Sequence, residues 1–118
     1  KILEGQTMEV WGDGSAIRDY IYIDDLSKIF NRLIEDNVQN VTLNLGSGRG
    51  YSVNDVLAFL KIVSGVDYKI EYKNPRPVDV SNMVLDVENL KKYVDIEFTP
   101  FMDGVKAFYD EEKKKYKI

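Results

Sequence analysis

Between Gly12 and Ile34 the apolar period changes once, and that change limits the folds open to the chain. Gly12-Asp13-Gly14 is a turn, because glycine and aspartate supply the left-handed conformations that a tight reversal needs. Tyr20-Ile21-Tyr22-Ile23 is aromatic and β-branched and reads as a strand. From Asp24, an expected helix N-cap, the pattern becomes helical. Leu26, Ile29, Phe30, Leu33 and Ile34 fall at i, i+3, i+4, i+7 and i+8 and form one apolar stripe. A strand running straight into an amphipathic helix belongs to a layered α/β domain, not to a bundle or a sandwich.

The remaining elements fit that class. Met8 to Trp11 reads as a strand before the turn. Val41 to Leu45 reads as another, with apolar and polar residues alternating, and Gly46-Ser47-Gly48-Arg49-Gly50 ends it. Ser52, with Asp55 in the capping-box position, opens a helix whose buried stripe is Val53, Val56, Leu57, Leu60 and Val63, and Gly65 stops it. Tyr68 to Tyr72 reads as a strand. Two prolines in Asn74-Pro75-Arg76-Pro77 forbid regular structure there, so a loop is expected to about Leu85. Asp86 caps a short helix bearing Val87, Leu90, Tyr93 and Val94. Thr99 as cap and Pro100 at the first helical position start the last helix, with Phe101, Met102, Val105, Phe108 and Tyr109 on its inner face. The reading is a small mixed α/β domain of short strands and about four helices, with a parallel component to its sheet. It comprises one domain over the 118 residues. Lys1-Ile2-Leu3-Glu4-Gly5 reads as the end of a helix that begins elsewhere.

Composition removes several chemistries. The chain has no cysteine and no histidine, which excludes disulfides, thiolate nucleophiles, thiolate or imidazole metal sites and a Ser-His-Asp triad built from its own residues. The absence of cysteine fits a reducing compartment, and a cytoplasmic location is expected. A net charge of −4 argues against nucleic acid as partner. No apolar run approaches the ~20 residues of a membrane span. The basic run Lys113-Lys114-Lys115-Tyr116-Lys117 follows Asp110-Glu111-Glu112, the order expected of a solvated helix end.

Five features remain as candidates for chemistry. The glycine run at 46–50 follows a strand and precedes a helix, yet a GxGxxG fingerprint needs glycine where Tyr51 stands. A plain glycine turn is therefore the better reading, with the helix N-terminus still free to face a phosphate. Tyr109 to Lys113 matches YxxxK, but on a charged terminal helix it reads as coincidence. Arg18 stands where turn meets strand, suited either to grip an anion or to pair with Asp13, Asp19 or Asp24. Arg76 is pinned between two prolines, so it loses less entropy on engaging a ligand. Asp79, three residues on, either accepts from a sugar hydroxyl or pairs with Arg76.

Four stretches taken in order carry a resemblance. Glu9 to Leu26 is similar to "VYGDGSQxRDYxYVDDL". Leu43 to Val53 is similar to "NxGxGxxYSV". Arg76-Pro77-Val78-Asp79-Val80 with Leu85-Asp86 is similar to "RPxDV…xxD", and Thr99-Pro100 with Gly104-Val105 to "TPxxxGI". These are motifs of the NAD-dependent nucleotide-sugar epimerase and dehydratase family of the extended short-chain dehydrogenase type, and the chain resembles its carboxy-terminal, substrate-binding part. One departure is the family's "ELGW" turn, replaced by Tyr93 to Phe98, so that the apolar anchor falls to Ile96 or Phe98.

The resemblance implies a set of roles. Arg18 and Arg76 grip the pyrophosphate of a UDP-sugar or other nucleotide-sugar. Asp79 accepts from the nucleotide ribose, and Val10 and Trp11 wall the nucleobase. It implies an NAD-dependent parent enzyme, a UDP-sugar 4-epimerase before a dehydratase or reductase, in which an amino-terminal Rossmann domain absent from this chain binds NAD and supplies the catalytic residues. The segment itself then holds no catalytic residue, no metal and no cofactor. Its partners are the nucleotide-sugar and that Rossmann domain, with a homodimer compatible in the parent. A ligand-free interaction module is the alternative of another class.

Overall fold

A computed structural model of the chain describes residues 1–116. Its elements run β1 (Met8–Trp11), β2 (Ile17–Asp19), α1 (Ile23–Glu35), β3 (Gly50–Ser52), α2 (Val53–Ser64), β4 (Ile70–Lys73), β5 (Asn82–Met83), α3 (Glu88–Lys91) and α4 (Phe101–Lys115). β1 and β4 pair in parallel as one small sheet. In the second sheet β2 is central, antiparallel to β3 and parallel to β5. This is the α/β class read from the sequence, with its four helices and parallel component.

Local chemistry fixes several boundaries as expected. The Ser52 hydroxyl accepts from the Asp55 amide while the Asp55 carboxylate accepts from Ser52, a complete capping box. The Ser52 hydroxyl and amide hold that carboxylate below its ordinary range. Gly65 closes α2 at φ 66°, a left-handed conformation that costs glycine least. The cap of α3 is Val87 and not Asp86, without a side-chain cap bond; Asp86 stands one residue earlier and accepts from the Glu88 amide at 2.9 Å. Lys106–Asp110, Lys114–Glu111 and Lys115–Glu112 pair along α4, whereas Lys117 lies outside the described residues. Residues 2–5 form a hydrogen-bonded turn closed by Gly5 at φ 67°.

Four further expectations are corrected. The second strand is Ile17–Asp19, not Tyr20 to Ile23, because Ile17–Asp19 has backbone partners on both sides. Tyr20 is spent on an aromatic cluster instead, 5.3 Å from Phe101, which in turn stacks on Tyr51 at 4.1 Å. The α1 cap is Tyr22, without a side-chain bond, and Asp24 lies in the first turn. Val41 to Leu45 forms no strand. Its alternation is real, since Leu43 and Leu45 pack on the core, but side-chain amides of Asn44 and Asn89 hold it in place of a ladder. Pro100 is the cap of α4 and not its first residue, and the Thr99 hydroxyl turns elsewhere. The smaller differences are β4, which starts at Ile70, and the two-residue β5 within the expected loop.

Ile29, Val87, Leu90 and Val94 form the buried core cluster, with Leu43, Leu45, Leu85, Ile96 and Phe98 packed around it. Ile96 and Phe98 thus both supply the anchor expected after Tyr93. The core is thin. The molecule measures 47 × 39 × 18 Å with a radius of gyration of 16.7 Å, against about 13.5 Å for a compact domain of this length. Its 8268 Å² of accessible surface exceeds the roughly 6,600 Å² of a compact monomer of this size. Phe30, Ile34 and Phe108, read as inward-facing, are 48%, 74% and 60% exposed, because α1 and α4 each find a neighbour on one side only.

Asp25 compensates in part. It is 1% exposed, and its two oxygens accept from the Thr99 amide at 2.7 Å and the Thr99 hydroxyl at 3.0 Å. One carboxylate thereby joins the start of α1 to the start of α4. Lys28, at 3.4 Å and largely exposed, adds little. Replacing Asp25 by Ala leaves the half-buried Thr99 donors without their acceptor. It is expected to lower the unfolding free energy by about 2–4 kcal/mol, read as a lower urea midpoint at unchanged slope.

Candidate functional site

β1 and the loop after β4 carry the first group of candidate residues. Parallel pairing places Trp11 beside Lys73, and the Gly12 amide donates to the Lys73 carbonyl at 3.0 Å. This brings the end of β1 against Pro75 and the Arg76 turn. There the Arg76 guanidinium lies 5.7 Å from the centre of the Trp11 ring, within cation–π range. Arg76 also forks onto Asp79, Nε to Oδ2 and Nη2 to Oδ1, each at 3.0 Å. The turn is closed by the Asp79 amide on the Arg76 carbonyl. Trp11, Arg76 and Asp79 are therefore one preassembled group on an open face. Val10 lies next to Trp11 but points inward and is 5% exposed, so Trp11, at 52%, is the available wall.

The turn between β1 and β2 is held from the side. Asp13 accepts from the Ser15 hydroxyl and amide, and those bonds hold its carboxyl below the usual range. Gly14, at φ 78°, lets Asn54 approach so closely that a Cβ would lie 2.1 Å from its Oδ1. Asn54 donates to the Asp13 carbonyl and accepts from the Tyr72 hydroxyl, tying the turn to α2 and β4.

Arg18 lies on the other sheet. It stands opposite Tyr51 on β3 and Met83 on β5, half-buried, with Nη1 donating to the Ile17 carbonyl at 2.7 Å. None of the ion pairs considered from the sequence forms: among the described residues Arg18 makes no salt bridge. Its connection to the Trp11 group runs through β5, which begins three residues after Asp79.

The residue that sequence reasoning undervalued is Asp19. Its Oδ1 accepts from the Ser47 amide at 2.8 Å and the Ser47 hydroxyl at 2.7 Å. Its Oδ2 accepts from the Gly48 amide at 2.9 Å and the Leu85 amide at 3.2 Å. The available signal was the Gly-Ser-Gly run itself, whose free amides require an anion within reach. The glycine run therefore does not fit a dinucleotide pyrophosphate. Its amides already hold an internal carboxylate, and the start of α2 is taken by its own capping box.

Three concavities among the described residues lie away from the Trp11 group. One, of about 530 Å³, is almost wholly apolar and is lined by Tyr20, Tyr22, Tyr51, Leu60, Phe101 and Val105. The Trp11 group thus lies on an open face and lines none of these concavities.

A sequence profile described as the NAD dependent epimerase/dehydratase family matches residues 1–46. The solved UDP-glucose 4-epimerase of Thermotoga maritima, in complex with UDP-glucose, superposes with a TM-score of 0.88 at 33% identity, over 97% of this chain and 37% of that one. The chain belongs to the NAD-dependent nucleotide-sugar epimerase/dehydratase family. Within the family it is 40% identical over 79 residues to the UDP-glucose 4-epimerase of Caenorhabditis elegans, covering 63% of this chain and 23% of that protein. It is also 28% identical over 101 residues to the dTDP-4-dehydro-6-deoxy-D-allose reductase of Streptomyces bikiniensis, covering 86% of this chain and 31% of that protein. The chain thus spans about a quarter to a third of the length of these relatives. Its fold is that of part of the extended Rossmann-type epimerase it superposes on. Among the described residues no helix is long and apolar enough to cross a membrane.

The Trp11 group can be read optically, since Trp11 is the sole tryptophan. Arg76→Ala uncovers the ring, and Asp79→Ala releases the guanidinium that covers it. Both variants are expected to show stronger acrylamide quenching of Trp11 emission. Equal quenching in both variants and the parent chain would contradict the stacked arrangement.

Proposed function

We propose that this chain binds the nucleoside-diphosphate part of a sugar nucleotide for an NAD-dependent UDP-sugar 4-epimerase. The observation that carries the reading is the preassembled Trp11–Arg76–Asp79 group. It offers an aromatic surface for a base, a planar fork matched to phosphate oxygens and a carboxylate suited to a ribose hydroxyl. Arg18, held half-buried and free of carboxylate partners among the described residues, is the second cation for the pyrophosphate. The likeness to a UDP-glucose complex of a 4-epimerase supports the choice of nucleotide and reaction.

In the parent enzyme NAD supplies hydride acceptance from the sugar and return to it. This chain contributes affinity and orientation. It docks on an amino-terminal NAD-binding domain, and the slab shape with exposed Phe30, Ile34 and Phe108 supports such docking. The reductase relative favours a second reading, the same segment in a nucleotide-sugar reductase or dehydratase, with the binding role unchanged.

Calorimetry with UDP tests the role. Arg18→Ala and Arg76→Ala are each expected to weaken binding by about 10- to 100-fold, the worth of a charge-assisted contact. Unchanged affinity in both variants would remove these residues from the site. A UDP-galactose assay with added NAD is expected to give no turnover by this chain. Measurable epimerisation would show that catalytic groups lie within it.

A further inference from the structure

The Gly46-Ser47-Gly48 run and Asp19 are not used by the nucleotide reading, yet their geometry is unusually demanding. One carboxylate on β2 collects four donors from two other segments, the glycine run and the backbone just past β5. The backbone around it has no room to spare. A Cβ on Gly46 would lie 2.8 Å from Asp19 Oδ2, and one on Gly50 would lie 2.5 Å from both Ile17 and Val84. Arg18 immediately precedes this carboxylate. Arg76 and Asp79 precede β5, whose register against β2 rests on two residue pairs. A two-residue ladder is too short to hold a register by itself. It is extended at one end by the Ile17 amide on the Ser81 carbonyl and at the other by the Leu85 amide on Asp19.

We propose that Asp19 is a positioning residue: its carboxylate is the clasp that sets the separation of the Arg18 arm from the Arg76–Asp79 arm. The ligand named for these arms rests on the nucleotide-binding reading above, but the clasp does not. Asp19 touches no ligand itself. It acts by locking β5 alongside β2, so that two guanidiniums, one on β2 and one in the turn before β5, present one fixed spacing to a diphosphate. Gly46 lets the backbone close around that carboxylate, while Gly48 and Gly50 make room for Val87, Ile17 and Val84.

Asp19→Asn tests this with little change of size. The amide keeps one acceptor oxygen and turns an NH₂ group toward two backbone donors. Gly46→Ala is the second variant, which displaces the carboxylate sterically with all charges kept. Because the chain has no cysteine, Asn31→Cys and Val78→Cys accept a spin-label pair reporting the distance between α1 and the Arg76 turn. Both variants are expected to broaden that distance distribution while the chain still unfolds cooperatively. UDP affinity is expected to fall about tenfold in Asp19→Asn, with uridine affinity unchanged and almost no further loss when Arg18→Ala is already present. A distribution as narrow as that of the parent chain in both variants would overturn the proposal, whatever UDP does. Equal loss in the presence and absence of Arg18 would also overturn it, because general destabilisation predicts that result. Broadening with no UDP binding by the unsubstituted chain would sink the nucleotide reading and leave the clasp standing.

Discussion

A molecule 18 Å thick has room for one sheet layer and one helix layer. That limit governs the rest of the structure. Each helix buries a single flank, the closed apolar cluster reduces to Ile29, Val87, Leu90 and Val94, and hydrophobic burial alone joins few elements. Carboxylates take over the joining. Asp25 fastens α1 to α4 through Thr99, and Asp19 fastens β2 to the glycine run and to the chain beyond β5. Each is compact, presents several acceptor positions and is placed where backbone amides would otherwise lack partners.

The same limit explains which parts of the fold were legible in the sequence. Helix existence, the Ser52–Asp55 box and the Gly65 stop are local facts, fixed by neighbours within one turn. Val41 to Leu45 shows where local reading fails. Its alternation correctly places Leu43 and Leu45 toward the core, but alternation says nothing of whether a strand lies alongside. The stripe of α1 likewise marks Phe30 and Ile34 as a face without saying that this chain leaves it open. The strand before α1 slid by three residues because its partners, Gly50–Ser52 and Asn82–Met83, are distant in sequence.

The candidate site divides in the same way. The Arg76–Asp79 pair was legible because proline pinning and a three-residue spacing place both on one turn, whereas the contact of Trp11 with Arg76 depends on the pairing of β1 with β4. Asp19 was not, since an acid that holds backbone amides looks in sequence like any of the chain's 20 acids. Val10 was legible as part of β1 but not as its buried side, which only the pairing with Tyr72 settles.

The fork between Arg76 and Asp79 has a consequence for selectivity. On the proposed nucleotide-binding reading, an arriving anion meets a guanidinium whose Nε and Nη2 already donate to a carboxylate three residues away, with further guanidinium protons left over. An anion that takes the two-pronged face competes with that tethered carboxylate, which is present at a high local concentration. Displacement would leave the Asp79 carboxylate in need of a new donor, and a hydroxyl beside the phosphate would supply one. On that reading the resting ion pair favours a ligand bearing both groups over one bearing either alone.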